Sequence, residues 1–326
     1  MNLEYYLPES ILTNFELAQE FPAWDYLGFE KKVGIKSRHI AGENETALDL
    51  AEKASLKLFK TVDKCSIDFI LLCTQSPDYY LPTSACILQN RLKLSTNCGA
   101  LDFNLGCSGY VYGLALAKSL LFSKVASNIL LVVSETYSKH IHPKDKVNRV
   151  IFGDGAAATL INKDSFSIGE FVLGTDGNGF QELIIRNGGI KNRFVTDVKE
   201  FEYSSGNITS DNHLYMNGLE IFNFSLNTIP ALVLQTAEKN NLKIPEIDYF
   251  IFHQANAHML NYLRTKSQIA PEKFCIDLDE TGNTVSATIP IALKNSFSKS
   301  QIKKGDIVML VGFGVGLSWG ATIITI

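Results

Sequence analysis

The sequence predicts an α/β protein made of two similar halves, and three observations carry that prediction: strand-like runs recur in the same order, helical stretches alternate with them, and the strands show almost no polar alternation. Continuous runs of Val, Ile, Leu and Phe belong in sheets covered by helices on both faces. A chain of 326 residues, 46% hydrophobic and 20% charged, is long enough to bury two such units. The net charge of −4 argues against nucleic acid as the main partner.

In chain order, the start MNLEYYLPES has no basic segment leading into an apolar one, and no later stretch reaches the ~18 apolar residues of a membrane span. A cytoplasmic protein with no membrane partner is expected. Ala47, Leu50, Ala51, Ala54 and Leu58 recur at helical spacing within residues 45–60, with Asn44 as the expected cap. Residues 67–75 (IDFILLCTQ) resemble residues 247–254 (IDYFIFHQ), 180 positions later, and read as one strand used twice. Leu101 to Asn104, ahead of Cys107, is echoed by Ile276 to Asp279, ahead of Asn283. Residues 108–122 are apolar nearly all round and predict a buried helix.

Asn128 to Ser134 (NILLVVS) matches Asp306 to Gly312 (DIVMLVG), and Ala158 to Ile161 matches Ala321 to Ile324. The last match needs about fifteen extra first-half residues between Tyr137 and Asn148, a polar and basic stretch expected as a surface loop. Residues 219–240 predict a long helix kinked at Pro230, and residues 284–297 another that opens after Asn283. The halves are then 1–165, carrying Cys107, and 166–326, carrying His253 and Asn283.

Six cysteines form no CxxC pair and have no His at ligand spacing, so neither a zinc site nor a disulfide framework is expected. His140 and His142 lack a third ligand nearby and read as part of a solvated loop. FGDGAAA fits a loose dinucleotide pattern, but Thr159 onward reads as strand, which excludes it.

Cys107 ends a strand-like run where an apolar helix begins. The unpaired N–H groups and positive dipole of a helix N-terminus favour thiolate, predicting a pKa about one unit or more below the free value of ~8.5. The competing reading is a merely packed thiol. Duplication favours chemistry: Cys107 and Asn283 fall at matching strand-to-helix junctions, and His253 ends a strand whose twin ends at Cys73. Carboxyl ends of strands are where α/β folds place sites. A thiolate that attacks a thioester, with imidazole and carboxamide donating to an oxyanion, fits the three residue types.

FNLGCSGYVYGL, IFHQANAH, ETGNTVSATIPIAL and GFGVGLSWG, with YLPE, VGIKSRHIA, FGDGAAA and YMNGLEIF, resemble the β-ketoacyl-acyl carrier protein synthase III family of the thiolase superfamily over essentially the whole chain. The resemblance implies the duplicated five-layered αβαβα thiolase fold, a homodimer, and Cys107, His253 and Asn283 as the catalytic set. It further implies that an acyl group loads onto Cys107, with the Val315 N–H and that of Cys107 in the oxyanion hole. His253 and Asn283 then bind the malonyl thioester carbonyl, with Phe313 walling the malonyl carboxylate. Thioester substrates serve in place of any cofactor or metal.

Several positions depart from the family's pattern. Val315 stands where glycine is usual and narrows the site, and Leu81 replaces the residue that reaches across the dimer to bound the acyl pocket. Gly28 and Phe29 stand where an adenine-stacking tryptophan is found in members that use acetyl-CoA, with Trp24 one helical turn away as a substitute. Lys146 replaces the CoA-contacting arginine and keeps its charge without planar stacking. His258 follows HQAN where a basic residue greets the carrier protein, leaving Arg264, Lys266 or residues 144–149 for docking. Acyl carrier protein is the implied partner, with acyl-CoA as a second donor. The expected activity is decarboxylating Claisen condensation, in fatty acid initiation or a specialised acyl pathway; the alternatives are acyl transfer to oxygen or nitrogen on the same fold, a cysteine hydrolase, or a silent scaffold subunit.

Overall fold

The computed structural model describes residues 1–22, 24–203 and 206–326. Its first sheet comprises β1 (Leu3–Tyr6), β2 (Phe69–Cys73), β3 (Gly99–Phe103), β4 (Asn128–Glu135) and β5 (Gly155–Asn162), in the order β1-β5-β4-β2-β3. The second comprises β6 (Ser167–Thr175), β7 (Tyr249–Phe252), β8 (Ile307–Gly314) and β9 (Ser318–Thr325), in the order β7-β8-β9-β6. In each, a parallel pair (β2 with β4, β7 with β8) is extended by antiparallel neighbours. The strand matches read from the sequence thus occupy equivalent places.

One echo does not form a strand. Where β3 pairs along β2, the second sheet has only an isolated bridge between Phe250 and Phe274. Cys275 N–H still donates to Phe250 O, but Asp277 N–H turns to the Gln254 side-chain oxygen, 2.8 Å away, and leaves the ladder.

Helices α1 (Ala47–Leu58) and α2 (Ser84–Arg91) cover the outer face of the first sheet. Helix α3 (Gly109–Phe122) lies between the sheets, α4 (Gly218–Lys239) covers the outer face of the second with α5 (Ala257–Lys266) against it, and α6 (Thr288–Ser298) shares the middle layer with α3. Five layers result, αβαβα, each interface closed by buried aliphatic side chains worth roughly 1.5–3 kcal/mol apiece.

Four local expectations are corrected. The cap of α1 is Thr46 rather than Asn44, because Thr46 and Asp49 close a reciprocal capping box. Helix α3 is buried along one face, and its last residue, Phe122, is 91% exposed where the helix runs past the sheets. The stretch from Thr284 opens as a 3₁₀ turn, Val285–Ala287, before α6 begins at Thr288. Residues 137–148 are no solvated loop: Tyr137, Ile141, His142, Asp145 and Asn148 are buried, and the His142 ring meets His213 edge-on and bonds Glu200 through Nε2. Among the described residues, no helix is long and apolar enough to cross a membrane.

Candidate active site

The position of Cys107 follows from how two strands end. β3 stops at Phe103, and the chain turns so that Cys107 immediately precedes Ser108, the N-cap of α3. β8 passes so close that a Cβ on Gly314 would lie 2.8 Å from Cys107 Sγ, and only glycine fits there. Beyond β8, the N–H of Val315 points at the sulfur, as does that of Cys107 itself. Ser318 Oγ donates to Val315 O at 2.9 Å, so the 2.7 Å contact between Ser108 and Ser318 is a bond donated by Ser108. The thiol turn and the Val315 loop are therefore tied together. The branched Val315 side chain packs over Gly106, where a Cβ would meet its Cγ1 at 2.6 Å.

The thiol is not acidified at rest. Burial pushes Cys107 up to about 12, and the nearby Glu135 carboxyl adds to the rise, outweighing both N–H groups that favour thiolate. This reverses the expectation from the helix N-terminus: taking the sulfur out of water outweighs the local donors. Glu135, the last residue of β4, is fully buried and is itself pushed up to about 8 by desolvation, although it accepts hydrogen bonds from Gln75 N–H, Ser76 Oγ–H and Ser286 Oγ–H.

His253 follows β7, its N–H donating to Val311 O at 2.7 Å. Its ring stands edge-on to Phe313 at 5.7 Å between centroids, and its Nδ1 lies 2.8 Å from Thr288 Oγ1. Burial drives the imidazole down to about 3, so it is neutral at physiological pH. Asn283 is set by backbone on both sides, its N–H donating to Ile151 O and its carbonyl accepting from Gly153 N–H. The preceding Gly282 supplies a φ of +63° beside Ile151 O. Asn283 Oδ1 accepts the Val285 N–H at 2.9 Å, which leaves the amide NH₂ as the group free to donate.

Cys107, His253, Asn283, Phe313 and Gly314 line one cavity of about 170 Å³, closed further by Ile151, Phe152, Leu183, Met216, Ile221 and Met259. A more open cleft of about 650 Å³, lined by Asn207, Tyr215 and Leu219 among others, shares Val147, Met216 and Gly218 with it and forms its approach. The larger space is lined by none of Cys107, His253 and Asn283, which meet only in the smaller.

The other residues named from sequence are more scattered. Leu81 is 83% exposed on the loop after β2, away from the Cys107 cavity within its own chain. Phe29 is half-buried and meets Trp24 edge-on at 5.5 Å, so the two aromatics pack on each other, and neither lines the cleft or the Cys107 cavity. Lys146 opens a short helix capped by Asp145 with its ammonium toward Gly206, while Arg264 donates to Ile269 O and closes the end of its own helix. His258 stacks on Phe222. Sequence reading missed Glu135, Ser286 and Thr288; an acidic residue ending the apolar run NILLVVS was the one available signal. It also missed Arg38, fully buried, whose guanidinium donates to Leu12 O, Asn14 Oδ1 and Val150 O and anchors the chain leading to Phe152.

Family models described as 3-oxoacyl-[acyl-carrier-protein] synthase III match residues 101–177, and its C-terminal part residues 237–326. The chain is 36% identical to the beta-ketoacyl-[acyl-carrier-protein] synthase III of Clostridium perfringens, over 98% of this chain and 96% of that protein. A crystal structure of a 3-oxoacyl-(acyl-carrier-protein) synthase III superposes with a TM-score of 0.97 at 45% identity, covering 99% and 98% of the two chains. That of the 3-oxoacyl-(acyl-carrier protein) synthase from Burkholderia xenovorans LB400 gives 0.91 at 34%, covering 99% and 92%.

Proposed function

The chain belongs to the 3-oxoacyl-[acyl-carrier-protein] synthase III family, and from that premise we propose that it is a decarboxylating condensing enzyme whose Cys107 carries the acyl group. The observation that carries this reading is the enclosure of Cys107, His253 and Asn283 in one small cavity, with two backbone N–H groups aimed at the sulfur.

In the first half-reaction, Cys107 sulfur attacks the carbonyl carbon of an acyl thioester. The tetrahedral oxyanion accepts from the N–H groups of Cys107 and Val315, the carrier thiol leaves with the proton released by Cys107, and acyl-Cys107 remains. In the second, malonyl-acyl carrier protein places its thioester oxygen between His253 and the Asn283 NH₂. Breaking the bond to the carboxylate releases carbon dioxide and leaves its electron pair in an enolate held by those donors. Phe313 helps by presenting an apolar wall, 1% exposed, against which a carboxylate is poorly solvated. The enolate carbon attacks acyl-Cys107, the C–S bond breaks, the β-ketoacyl product leaves on the carrier protein, and the released sulfur takes up one proton from solvent. The bonds made and broken are thioester C–S bonds and C–C bonds beside a thioester carbonyl, with no net redox change, so the proposed sequence requires neither metal nor redox cofactor.

Acyl carrier protein is the proposed macromolecular substrate, and acyl-CoA a candidate first donor through Lys146 and the Phe29–Trp24 pair. A homodimer is proposed as well: Tyr79, Tyr80 and Leu81, 63%, 76% and 83% exposed, form an apolar tip suited to a second copy. Intact-mass analysis tests the reading. Incubation with a panel of acyl-CoAs and acyl carrier proteins should give an acyl adduct on the wild type and none on Cys107→Ala; malonyl-acyl carrier protein should then discharge it with one carbon dioxide per product lengthened by two carbons. Discharge as free acid would indicate hydrolysis instead, and discharge onto an alcohol or amine without carbon dioxide would indicate plain acyl transfer.

A further inference from the structure

An imidazole with one proton offers a donor on one nitrogen and an acceptor on the other, and the partner of the inner nitrogen decides which faces the substrate. For His253 the inner partners are a hydroxyl and the Val285 carbonyl beside it, which also accepts from the ring. Thr288 Oγ1 lies 2.8 Å from His253 Nδ1 and 3.0 Å from Val285 O, with Thr288 and His253 both buried. A hydroxyl carries a single proton, so it can donate to the imidazole or to the carbonyl but not to both.

The two arrangements have opposite consequences. If the hydroxyl donates to Val285 O, Nδ1 must carry the proton and donate to Thr288, which leaves Nε2 bare. A bare Nε2 would set a lone pair against the thioester oxygen that Asn283 is placed to receive. If the hydroxyl instead turns to Nδ1, the imidazole's proton sits on Nε2 and His253 becomes a donor alongside Asn283. The turn leaves no orphan, because Val285 O already accepts the backbone N–H of Thr288. Burial, which keeps the ring neutral, makes this choice unavoidable: an imidazolium would donate from both nitrogens, but the site disfavours that charge.

We propose that Thr288 is the positioning residue that makes His253 a hydrogen-bond donor, its hydroxyl donating to Nδ1 and thereby holding the ring as the neutral Nε2–H tautomer. Both the tautomer and the role assigned to the donor rest on the decarboxylation reading above, which calls for a second donor at the thioester oxygen, while the ¹⁵N spectrum reads the tautomer independently of turnover. No residue of α6 other than Thr288 need touch the imidazole for this, and the same helix start places the hydroxyl directly after the 3₁₀ turn that holds Asn283 Oδ1. One short segment thus orients both donors.

The test separates tautomer from turnover. Protein labelled with ¹⁵N-histidine, its His253 signals assigned by their loss in His253→Gln, should show a proton-bearing Nε2 and an unprotonated Nδ1 around neutral pH. Thr288→Val should shift the ring toward the Nδ1–H form, and Thr288→Ser should keep the wild-type pattern. In parallel, Thr288→Val should lower kcat for carbon dioxide release from malonyl-acyl carrier protein about 10- to 100-fold, the size of loss seen when the partner that orients a metal-bound histidine is removed. KM and acyl loading of Cys107 should change little, and Thr288→Ser should recover most of kcat. A wild-type ring protonated on Nδ1, or Thr288→Val with undiminished decarboxylation, would overturn the proposal. A wild-type Nε2–H tautomer in a protein that never decarboxylates malonyl thioesters would uphold the tautomer and sink the functional reading instead.

Discussion

The two halves place different chemistry on the same three framework positions. Aligned by their repeated strands, Cys73 answers to His253, Cys107 to Asn283, and Glu135, at the end of β4, to Phe313, near the end of β8. The first half turns its set into a buried thiol centre: Cys73 donates to Leu105 O, Cys107 sits at the start of α3, and burial raises the pKa of both thiols with Glu135 adding to the rise. The second half turns the corresponding set into two neutral donors and an apolar wall. The frame is shared, and at three corresponding strand ends it carries a buried thiol centre in one half and a neutral imidazole, a carboxamide and an apolar ring in the other.

The same comparison explains why the halves are not copies. β3 delivers Cys107 from a paired strand, whereas the equivalent second-half segment leaves the sheet after Phe274, and Asn283 is pinned instead by Ile151 and Gly153 of the first half. The second-half site is thus built against the first half, and neither set would be complete alone.

Substitutions should divide along this line. The largest effect is expected from Cys107→Ala, which should abolish acyl loading by intact mass, since no other thiol lines the cavity among the described residues. Next, Asn283→Ala should load an acyl group normally yet lose about 10²- to 10³-fold in carbon dioxide release, the usual cost of one preorganised donor; unaltered turnover would remove Asn283 from its role. Phe313→Ser, which admits water beside the malonyl carboxylate, should slow the same step by less than the loss of either donor, again with loading intact.

Glu135 sharpens the contrast through pH. Its folded pKa of about 8 lies above the unfolded value near ~4.3, so the stability it contributes is full below the unfolded value and is lost as pH rises through the folded one. Melting temperature should therefore fall between those two pH values, and Glu135→Gln should flatten the fall. With Cys107 pushed up to about 12, alkylation of its thiol should still be climbing about tenfold per pH unit in mildly alkaline solution. Glu135→Gln should speed alkylation where the carboxylate is ionised. A plateau near neutral pH would mean that the helix N-terminus outweighs burial after all.

Much of this was legible in the sequence for a physical reason: buried strands have little freedom of composition, so the repeats IDFILLC and IDYFIFH survived as matching text. Cys107, His253 and Asn283 stood at the ends of such repeats, where position alone marked them. What was not legible depends on contacts between distant segments. The desolvation that overrides the helix effect at Cys107 comes from β8 crossing over the turn, and nothing in FNLGCSGY announces it. Thr288 lies in an apolar run where a hydroxyl reads as incidental until Nδ1 is placed 2.8 Å away. The buried residues of 137–148 looked like a surface loop because their polar side chains find partners far away in sequence, His142 at Glu200 and Tyr137 at Gln75.

The most direct test gives malonyl-acyl carrier protein, without any acyl donor, to Cys107→Ala and to Asn283→Ala and follows carbon dioxide. If the second-half donors act on the malonyl thioester without the sulfur, Cys107→Ala should still release carbon dioxide and leave acetyl-acyl carrier protein, while Asn283→Ala releases little or none. Release that vanishes in Cys107→Ala but persists in Asn283→Ala would contradict the account.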